Sequence, residues 1–475
     1  MQGLVAINDT LNRLVWGPGM LVLLLGVGIY FTVRTRGFQL THFFAMLQKT
    51  LGALFTRKAK ANPGALSPVQ AMTTALAATM GTGNLVGVAT ALAAGGPGAI
   101  FWMWISAFFG MMTKYAEVVL AVHFREKNAK GEWVGGPMYY IQKGLGAHWR
   151  PLSILFALFA ACAAFGMGNL AQVNSIAGAI ESTCLSFGLS LDAGGAMALR
   201  RAVGIGIALC VGLVLFGGQR RIGRMTECLI PFLSLFYIVG SVIVILFHAD
   251  QLGPALASIF AGAFRPASAA GGILGYSMLQ AARIGVARGV FTNEAGLGSA
   301  PLAHASADVA HPCEQGYFGM FEVFADTLVV CTLTALVILC SGVFPGIDPA
   351  TGQCALSGAP LTIAAFATVF GRWGSVFIAV SVLLFAFSTL LSWSLYGQRC
   401  FEYLFGLRGT GLYRLLFLVV IVLGATMDLR LAWELSDTLN GLMALPNLVA
   451  LWALSPIVLR LTYQFDAQRR RHKRR

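Results

Sequence analysis

The sequence predicts an all-α protein that crosses a membrane about eleven times, and two observations lead to this fold class. Of the 475 residues, 57% are hydrophobic and only 11% are charged, whereas a soluble domain carries about 25% charged residues. Apolar stretches long enough to cross a hydrocarbon core of ~30 Å recur from one end of the chain to the other. No soluble domain of useful size fits between them, so the composition indicates a polytopic membrane protein.

Eleven apolar runs follow one another along the chain. They cover residues 15–33, 67–93, 98–124, 151–182, 199–216, 225–247, 270–291, 316–343, 373–397, 411–427 and 431–463. We expect the first run to remain as a helix, because it is too long for a signal peptide and no small-residue cleavage site follows it. The nine cysteines are scattered singly, which is typical of small buried hydrophobic residues rather than of metal ligands.

The basic residues predict the orientation of the chain. With the N-terminus outside, 26 lysines and arginines, Arg283 and Arg288 among them, fall on one side and six on the other. The positive-inside rule then places the C-terminus in the cytoplasm. We therefore interpret the net charge of +14 as topological, and the tail RRRHKRR (469–475) as an anchor near anionic lipid rather than a nucleic-acid-binding arm.

Three segments between the runs carry patterns of their own. Residues 37–55 have apolar side chains at helical spacing and predict a helix in the cytoplasmic interface. Residues 127–150 predict a second cytoplasmic segment, with aromatic residues suited to the interface. Within 344–372, the apolar stretch LTIAAFATVFG predicts a helix too short to span, which we place over an external vestibule.

The second run contains MGTGNLVG, three glycines and an asparagine near the predicted bilayer midplane. A helix break there exposes the amides of Thr82, Gly83 and Asn84 at the start of an outer half-helix, where the dipole favours a carboxylate. The carbonyls that end the inner half-helix suit a small hard cation. An alternative stays open, because Gly83 and Gly87 also fit a close-packing face of small residues.

The seventh run, 270–291, is also interrupted by glycine, and it lies five helices after 67–93. Irregular backbone at membrane depth survives only where protein buries it or where it lines a cavity. Interrupted segments in matching positions of two halves are typical of an inverted-repeat secondary transporter. The pattern therefore predicts two five-helix halves preceded by one extra span.

Two further runs carry polar side chains at membrane depth. Asn169 and Gln172 share one helix face, and their amides either hold neighbouring helices together or contact a bound solute. Ser388 and Thr389 are adjacent hydroxyls that either bond back to their own helix or serve a site. Small solutes need a pocket narrowed by bulk, for which Trp393, Met278 and Phe165 are the candidates.

Charged residues within the runs are costly and therefore informative. We expect Lys114 and Glu117, three residues apart, to neutralise each other. Glu322 and Asp326 form a carboxylate pair four residues apart, and a proton relay through such a group is the less favoured hypothesis.

The segment VARGVFTNEAGLGSAPLAHASA (286–307) has a cap-like start, two glycines and a proline. We interpret it as a structured cytoplasmic turn, with part of an inner gate as the alternative. Glu434 and Asp437 lie near the outer end of the last run, where solvation is the simple explanation. No catalytic or metal-binding signature stands out along the chain, so we do not expect an enzyme.

Together these stretches resemble one family, the alanine or glycine:cation symporters (sodium:alanine symporters). The resemblance is carried by NPGALSPVQA (62–71), GTGNLVGVATALAAGGPGAIFWMW (81–104), the KYAE pair, GGPMYYI (135–141), GNLAQVNS, GGQRRIGRMTE (217–227), VARGVFTNEAGLGSAP and LSDTLNGLMALPN (435–447). It extends over nearly the whole chain.

The resemblance implies a LeuT-type 5+5 inverted repeat preceded by one extra N-terminal helix. The implied parts are the extra helix 1–36, an interfacial helix and linker 37–60, repeats 61–247 and 248–465, and a basic cytoplasmic tail 466–475.

It also implies import of small neutral amino acids, alanine and glycine, by Na⁺ symport with alternating access. Na⁺ is then the coupling ion, with no organic cofactor and no nucleic-acid partner. The setting is a bacterial-type inner membrane, and the oligomeric state stays open. The alternative is an H⁺-coupled or other small-amino-acid symporter of the same fold.

The site residues implied by the resemblance fall into two groups. Thr82, Gly83, Asn84 and Gln172 contact the substrate, which Trp393 and Met278 help to enclose. By the wider LeuT-type fold, one Na⁺ lies between the carbonyls of Ala77 and Met80 and the hydroxyls of Ser388 and Thr389. We place the break of the sixth core helix between Gly275 and Gly285, and Ile284 is the residue at the family's bulky position before Gly285.

Overall fold

The computed structural model describes residue 8 and residues 10–13, 15–55, 61–264, 274–347, 354–427 and 429–474. These residues form helices joined by short connections, with one two-stranded antiparallel hairpin. The predicted fold class is confirmed in this respect.

In the first half of the chain, the helices and strands whose bounds the structure describes lie between residues 18 and 247. They are α1 Pro18–Arg34, α2 Phe38–Thr41, α3 Phe43–Phe55, α4 Pro68–Thr79, α5 Val88–Gly95, α6 Gly98–His123, β1 Glu126–Lys127, β2 Trp133–Val134, α7 Pro137–Leu145, α8 Arg150–Phe165, α9 Ala171–Ser186, α10 Ala193–Leu215 and α11 Gly218–Phe247. Single π-helical turns, Gly83–Gly87 and Gly166–Leu170, precede α5 and join α8 to α9.

The second half continues in the same way. Its helices are α12 Leu252–Phe264, α13 Leu274–Asn293, α14 Pro301–His304, α15 Pro312–Val323, α16 Thr332–Cys340, α17 Gly358–Phe370, α18 Trp373–Phe405, α19 Thr410–Thr426, α20 Leu429–Ala453 and α21 Ser455–Arg474. A longer π-helical segment, Phe324–Cys331, joins α15 to α16.

By length and composition, seven helices in the described ranges are able to cross a membrane, or nine if each of two bent pairs counts as one span. The count of eleven stays a prediction. The last predicted run, 431–463, is wrong as one straight span, because α20 and α21 meet at a 60° bend after Ala453.

The predicted break in the second run is confirmed. A capping box of Ser67 and Gln70, with Pro68 in the first turn, starts α4, which ends at Thr79. The chain resumes as a helix at Gly83, and the two halves differ in direction by 46°. All five residues from Met80 to Asn84 are buried, so the irregular backbone lies inside the protein.

The predicted break between Gly275 and Gly285 is wrong. Helix α13 runs without interruption from Leu274 to Asn293. Gly285 serves close helix packing instead, because a Cβ there would collide with the backbone carbonyl of Ala99 on α6. The chain leaves the helix at Glu294, whose φ is +56°, and re-enters one only at Pro301.

This second break falls in the segment that we interpreted as a cytoplasmic turn. Every residue from Phe291 to Ala307 is buried. The segment is therefore an interior element of the fold, and its cytoplasmic side and the inner-gate alternative stay predictions.

Helix α6 lies at the centre of the packing, with α13 and α15 against it. Helix α18 packs on α8 and α9, and α11 packs on α4. The two broken segments thus lie between neighbouring helices that bury them on all sides.

The β hairpin is joined to other elements by a cluster of hydrogen bonds and ion pairs around Arg399. Arg399 on α18 contacts Glu132 of the hairpin at 2.8 Å and Glu402 at 2.7 Å, and it also donates to Gln219 on α11. Burial raises the pKa of Glu132, but Arg399 outweighs burial and holds the pKa below its usual range.

Candidate functional site

At the first break, two backbone amides make hydrogen bonds to side chains. The Gly81 amide donates to Asn84 Oδ1 at 3.0 Å. The Thr82 amide donates to Gln172 Oε1 at 3.2 Å, and Gln172 Nε2 donates to the Met167 carbonyl at 3.0 Å. The structure therefore brings the predicted residues Thr82, Asn84 and Gln172 together.

Gly81 allows this approach. A Cβ at position 81 would lie 2.7 Å from Thr389 Oγ1 and 3.2 Å from Gln172 Oε1. Side chains from α9 and α18 thus converge on the broken backbone from two directions.

Thr389 and Ser388, which the sequence offers as equivalents, differ in the structure. Thr389 Oγ1 donates to the Ala77 carbonyl of α4 at 2.9 Å, across the helix interface. Ser388 Oγ donates to the Phe385 carbonyl of its own helix at 2.8 Å. The sulfur of Met80 accepts a hydrogen bond from Ser234 at 3.4 Å.

A second group of oxygen atoms surrounds Asn84, and sequence analysis missed it. Asn84 Nδ2 donates to Asp326 Oδ1 at 2.7 Å. Thr327 Oγ1 lies 2.8 Å from Asp326 Oδ2 and 3.4 Å from Thr292 Oγ1. These four buried side chains come from three helical segments and carry hard oxygen donors of the kind that alkali and alkaline-earth cations prefer.

The second break is occupied by the protein's own carboxylates. Glu117 Oε1 on α6 accepts from the amides of Gly296 and Gly298 at 3.1 and 3.0 Å. It also accepts from Asn447 Nδ2 at 2.6 Å. The freed backbone donors are therefore satisfied inside the protein.

Glu294, the first residue of this break, is buried and bonded in the same way. Its Oε1 accepts from Trp393 Nε1 at 3.0 Å, and its Oε2 accepts from the Ser299 hydroxyl. Trp393 is thus placed between the second break and Gly168, where no Cβ would fit against its ring.

The predicted pairing of Lys114 with Glu117 is wrong. Lys114 Nζ contacts Glu322 Oε1 at 3.4 Å, and both side chains are fully buried. His304 Nε2 lies 3.0 Å from the other oxygen of Glu322. Glu322 and Asp326, adjacent on one helix face, consequently belong to two different clusters.

A cavity of about 780 Å³ lies beside the outer half-helix α5 and α9. At its border Arg288 contacts Asp437 at 3.2 Å, and Phe291 stacks on Trp433 with ring centroids 5.2 Å apart. The topology prediction placed Arg288 and Asp437 on opposite sides of the membrane, which this ion pair contradicts. Because α13 continues to Asn293, Arg288 lies before the break and not after it.

Two candidates for narrowing the pocket lie elsewhere. Met278 is 38% exposed on α13. Phe165 is directed towards α19, where its ring centroid lies 5.1 Å from that of Tyr413. Asn169 donates to the Phe417 carbonyl at 2.8 Å, so the interhelical alternative holds for this residue.

Within the described part of the chain, two buried oxygen atoms near the first break make no hydrogen bond. They are Thr82 Oγ1 and Asn440 Oδ1. Asn440 Nδ2 contacts the sulfur of Met167, whose carbonyl holds Gln172. An unsatisfied buried acceptor is costly, so both atoms favour a polar solute beside the break.

Comparison with known proteins identifies the relatives of this chain. A model of the sodium:alanine symporter family matches residues 1–475. The sodium/alanine symporter AgcS of Methanococcus maripaludis is 44% identical over 98% of each chain. The probable sodium/glutamine symporter GlnT of Bacillus subtilis is 37% identical over 97% of this chain and 91% of its own.

Among solved structures, MhsT in complex with L-phenylalanine aligns with a TM-score of 0.56 and 13% identity. The alignment covers 86% of this chain and 99% of MhsT. At this identity the likeness concerns the fold alone, which is of the LeuT type.

Proposed function

Because the chain belongs to the sodium:alanine symporter family and is a Na⁺-coupled amino-acid symporter, we propose that it takes up small neutral amino acids, alanine and glycine, by alternating access. The coupling ion is Na⁺, and the protein is a multi-pass membrane protein. The proposal includes the predicted orientation, with the N-terminus outside and the C-terminus in the cytoplasm.

The first break is the observation that carries the proposal. The Thr82 amide bonds a neutral side-chain oxygen, Gln172 Oε1, at the start of the outer half-helix. A substrate carboxylate is a stronger acceptor at this positive pole than an amide oxygen. We propose that the carboxylate displaces Gln172 from Thr82 and that Gly83 and Asn84 complete the contact.

The close packing of Trp393 supports small substrates. Trp393 lies against Gly168 so closely that no Cβ fits there, and its indole nitrogen donates to Glu294. We propose that this fixed aromatic side chain limits the size of the substrate side chain by steric overlap.

Two Na⁺ positions follow from the oxygen donors. One, between the carbonyls of Ala77 and Met80 and the hydroxyl of Thr389, is supported by the 2.9 Å contact between the two helices. The other uses the oxygens of Thr292, Asp326 and Thr327, and the Asn84 amide nitrogen donates to Asp326 beside it. Because Asn84 connects the proposed substrate contact to Asp326, we propose that Na⁺ binding there strengthens substrate binding.

Uptake by purified protein in proteoliposomes tests the proposal. We expect accumulation of labelled alanine above equilibrium on an inward Na⁺ gradient, and none when K⁺ or choline replaces Na⁺. Unlabelled glycine should compete, whereas glutamine, the solute named for the B. subtilis relative, should compete weakly.

Uptake driven by a pH gradient without Na⁺ distinguishes the H⁺-coupled alternative from Na⁺ coupling. Accumulation under that condition favours H⁺ coupling and contradicts the proposed ion. Equal competition by glutamine and alanine contradicts the proposed substrate class.

A further inference from the structure

A cavity of about 450 Å³ lies at the end of α1, away from both breaks. Its walls come from the turn after α1, from α2 and from the C-terminal helix α21. The side chains that matter for its chemistry are Arg36, Thr41, His42, Asp466 and Arg470. None of these residues takes part in the proposed transport site.

The cavity carries an excess of positive charge. Arg470 contacts Asp466 at 2.8 Å, but the guanidinium of Arg36, whose backbone amide donates to the Val33 carbonyl, makes no hydrogen bond or ion pair with any residue in the described ranges. Burial lowers the pKa of His42, and its contact with Asp466 at 3.2 Å offsets this only in part. One guanidinium is therefore left without a counter-charge.

Arg36 reaches the cavity through an unfavourable backbone conformation. Its φ of +57° is in the left-handed region, which a side chain with a Cβ rarely adopts. The turn of Arg36 and Gly37 directs the chain from α1 into α2 and leaves the arginine on the cavity wall.

Three exposed apolar side chains lie within a few residues, along the chain, of those that line the cavity. Val33 is 67% exposed, Leu40 64% and Phe44 82%. These residues flank the positions at which an apolar 17-residue helix ends in charged residues, which is the depth of a headgroup region. Such side chains gain nothing from water, but they suit contact with acyl chains.

We propose that this cavity binds the phosphate headgroup of an anionic phospholipid. Arg36 and Arg470 bind the phosphate oxygens through their planar guanidinium groups, and the Thr41 hydroxyl donates to the same group. The acyl chains of the lipid cover Val33, Leu40 and Phe44. Inorganic phosphate shares the headgroup chemistry but gains nothing from these apolar side chains, so the lipid is the occupant that fits both features.

Native mass spectrometry of the detergent-solubilised full chain, titrated with phosphatidylglycerol or phosphatidylcholine, tests the proposal. We expect phosphatidylglycerol to be retained in preference, and the double variant Arg36→Gln/Arg470→Gln to bind it about tenfold more weakly. The matched control Arg220→Gln/Arg224→Gln removes the same charge from two exposed arginines of α11 and should bind as the unmodified protein does.

A variant that is expected to bind the lipid more tightly distinguishes a lost binding site from misfolding. Asp466→Asn removes the carboxylate that competes for Arg470, so we expect tighter binding of phosphatidylglycerol. Inorganic phosphate at millimolar concentration should compete weakly. Equal retention of phosphatidylcholine, full displacement by inorganic phosphate, or an equal loss in the control variant would each overturn the proposal.

Discussion

The two helix breaks of this protein are built from different chemistry. At the first, around Gly81, neutral side chains meet the open backbone, and Thr82 Oγ1 stays without a hydrogen bond to the described residues. At the second, around Glu294–Ser299, the buried carboxylate of Glu117 bonds the open amides through Oε1, while its Oε2 makes no hydrogen bond to the described residues. The open amides thus have a neutral partner at the first break and a carboxylate partner at the second.

We infer from this difference that the first break serves ligand binding and the second serves stability. A neutral amide partner is replaced at little cost by a charged carboxylate, since charged acceptors bond about twice as strongly. Three hydrogen bonds to one buried carboxylate oxygen of Glu117 are costly to replace. A buried donor that loses its acceptor has no hydrogen bond to offset the free energy of removing it from water. We expect variants at the first break to change ligand binding and variants at the second to change stability.

The largest effect on transport is expected for Asn84→Ala. The change removes one hydrogen-bond partner from the Gly81 amide and one from the Asp326 carboxylate, and it removes a proposed substrate contact that also orients a proposed Na⁺ ligand. Na⁺-driven alanine uptake in proteoliposomes should fall about 100-fold or more. The control Asn169→Ala, which loses only a bond to the Phe417 carbonyl, should stay within about threefold. Normal uptake by folded Asn84→Ala protein would show that the site is elsewhere.

Glu117→Ala should act mainly on stability. It leaves the amides of Gly296 and Gly298 unpaired in the interior, at about 1–3 kcal/mol for each donor, and it removes one of the hydrogen bonds of Asn447. We expect a clear fall in the unfolding temperature of the detergent-solubilised protein, with a smaller fall for Glu117→Gln, which keeps an acceptor oxygen. The Na⁺ concentration for half-maximal uptake should stay unchanged; a large increase would remove the distinction between the breaks.

Thr389 and Ser388 provide a matched pair within the first region. Thr389→Val removes the hydroxyl that reaches the Ala77 carbonyl, so the Na⁺ concentration for half-maximal uptake should rise about tenfold. Ser388→Ala removes only a bond within its own helix and should change this value less than about twofold. The reverse order of effects would place the cation nearer to Ser388.

The smallest effect is expected for Met278→Ala. Its side chain is 38% exposed and lies apart from the cluster around Gln172 and Trp393. The apparent KM values for alanine and glycine should stay within about twofold of those of the unmodified protein. A change in the preference between the two amino acids would show that Met278 does contact the substrate.

Local composition made the first break predictable. Three glycines and an asparagine within an apolar run weaken a helix wherever it packs, so the break near Gly81 follows from residues close in sequence. The same reasoning failed for Gly285. There the glycine permits close contact with Ala99 on another helix, a role that only the neighbouring helix reveals.

The charged residues show the limit most clearly. Spacing suggested Lys114 with Glu117, yet Lys114 contacts Glu322 and Glu117 binds the second break. The partners are separated by 208 residues for Lys114 and by 179 residues for the Gly296 amide. A buried carboxylate is most stable where several hydrogen-bond donors surround it, and those donors are brought together only by folding.

The sequence by itself therefore determined the membrane class, the helical architecture, the family resemblance and the first break. These properties depend on composition and on patterns within a few turns of helix. The tertiary structure decided the position of the second break, the partners of every buried charge and the difference between Ser388 and Thr389. Each of these depends on which side chains meet across helices, and burial makes that choice energetically decisive because an unpaired polar group has no water to replace its partner.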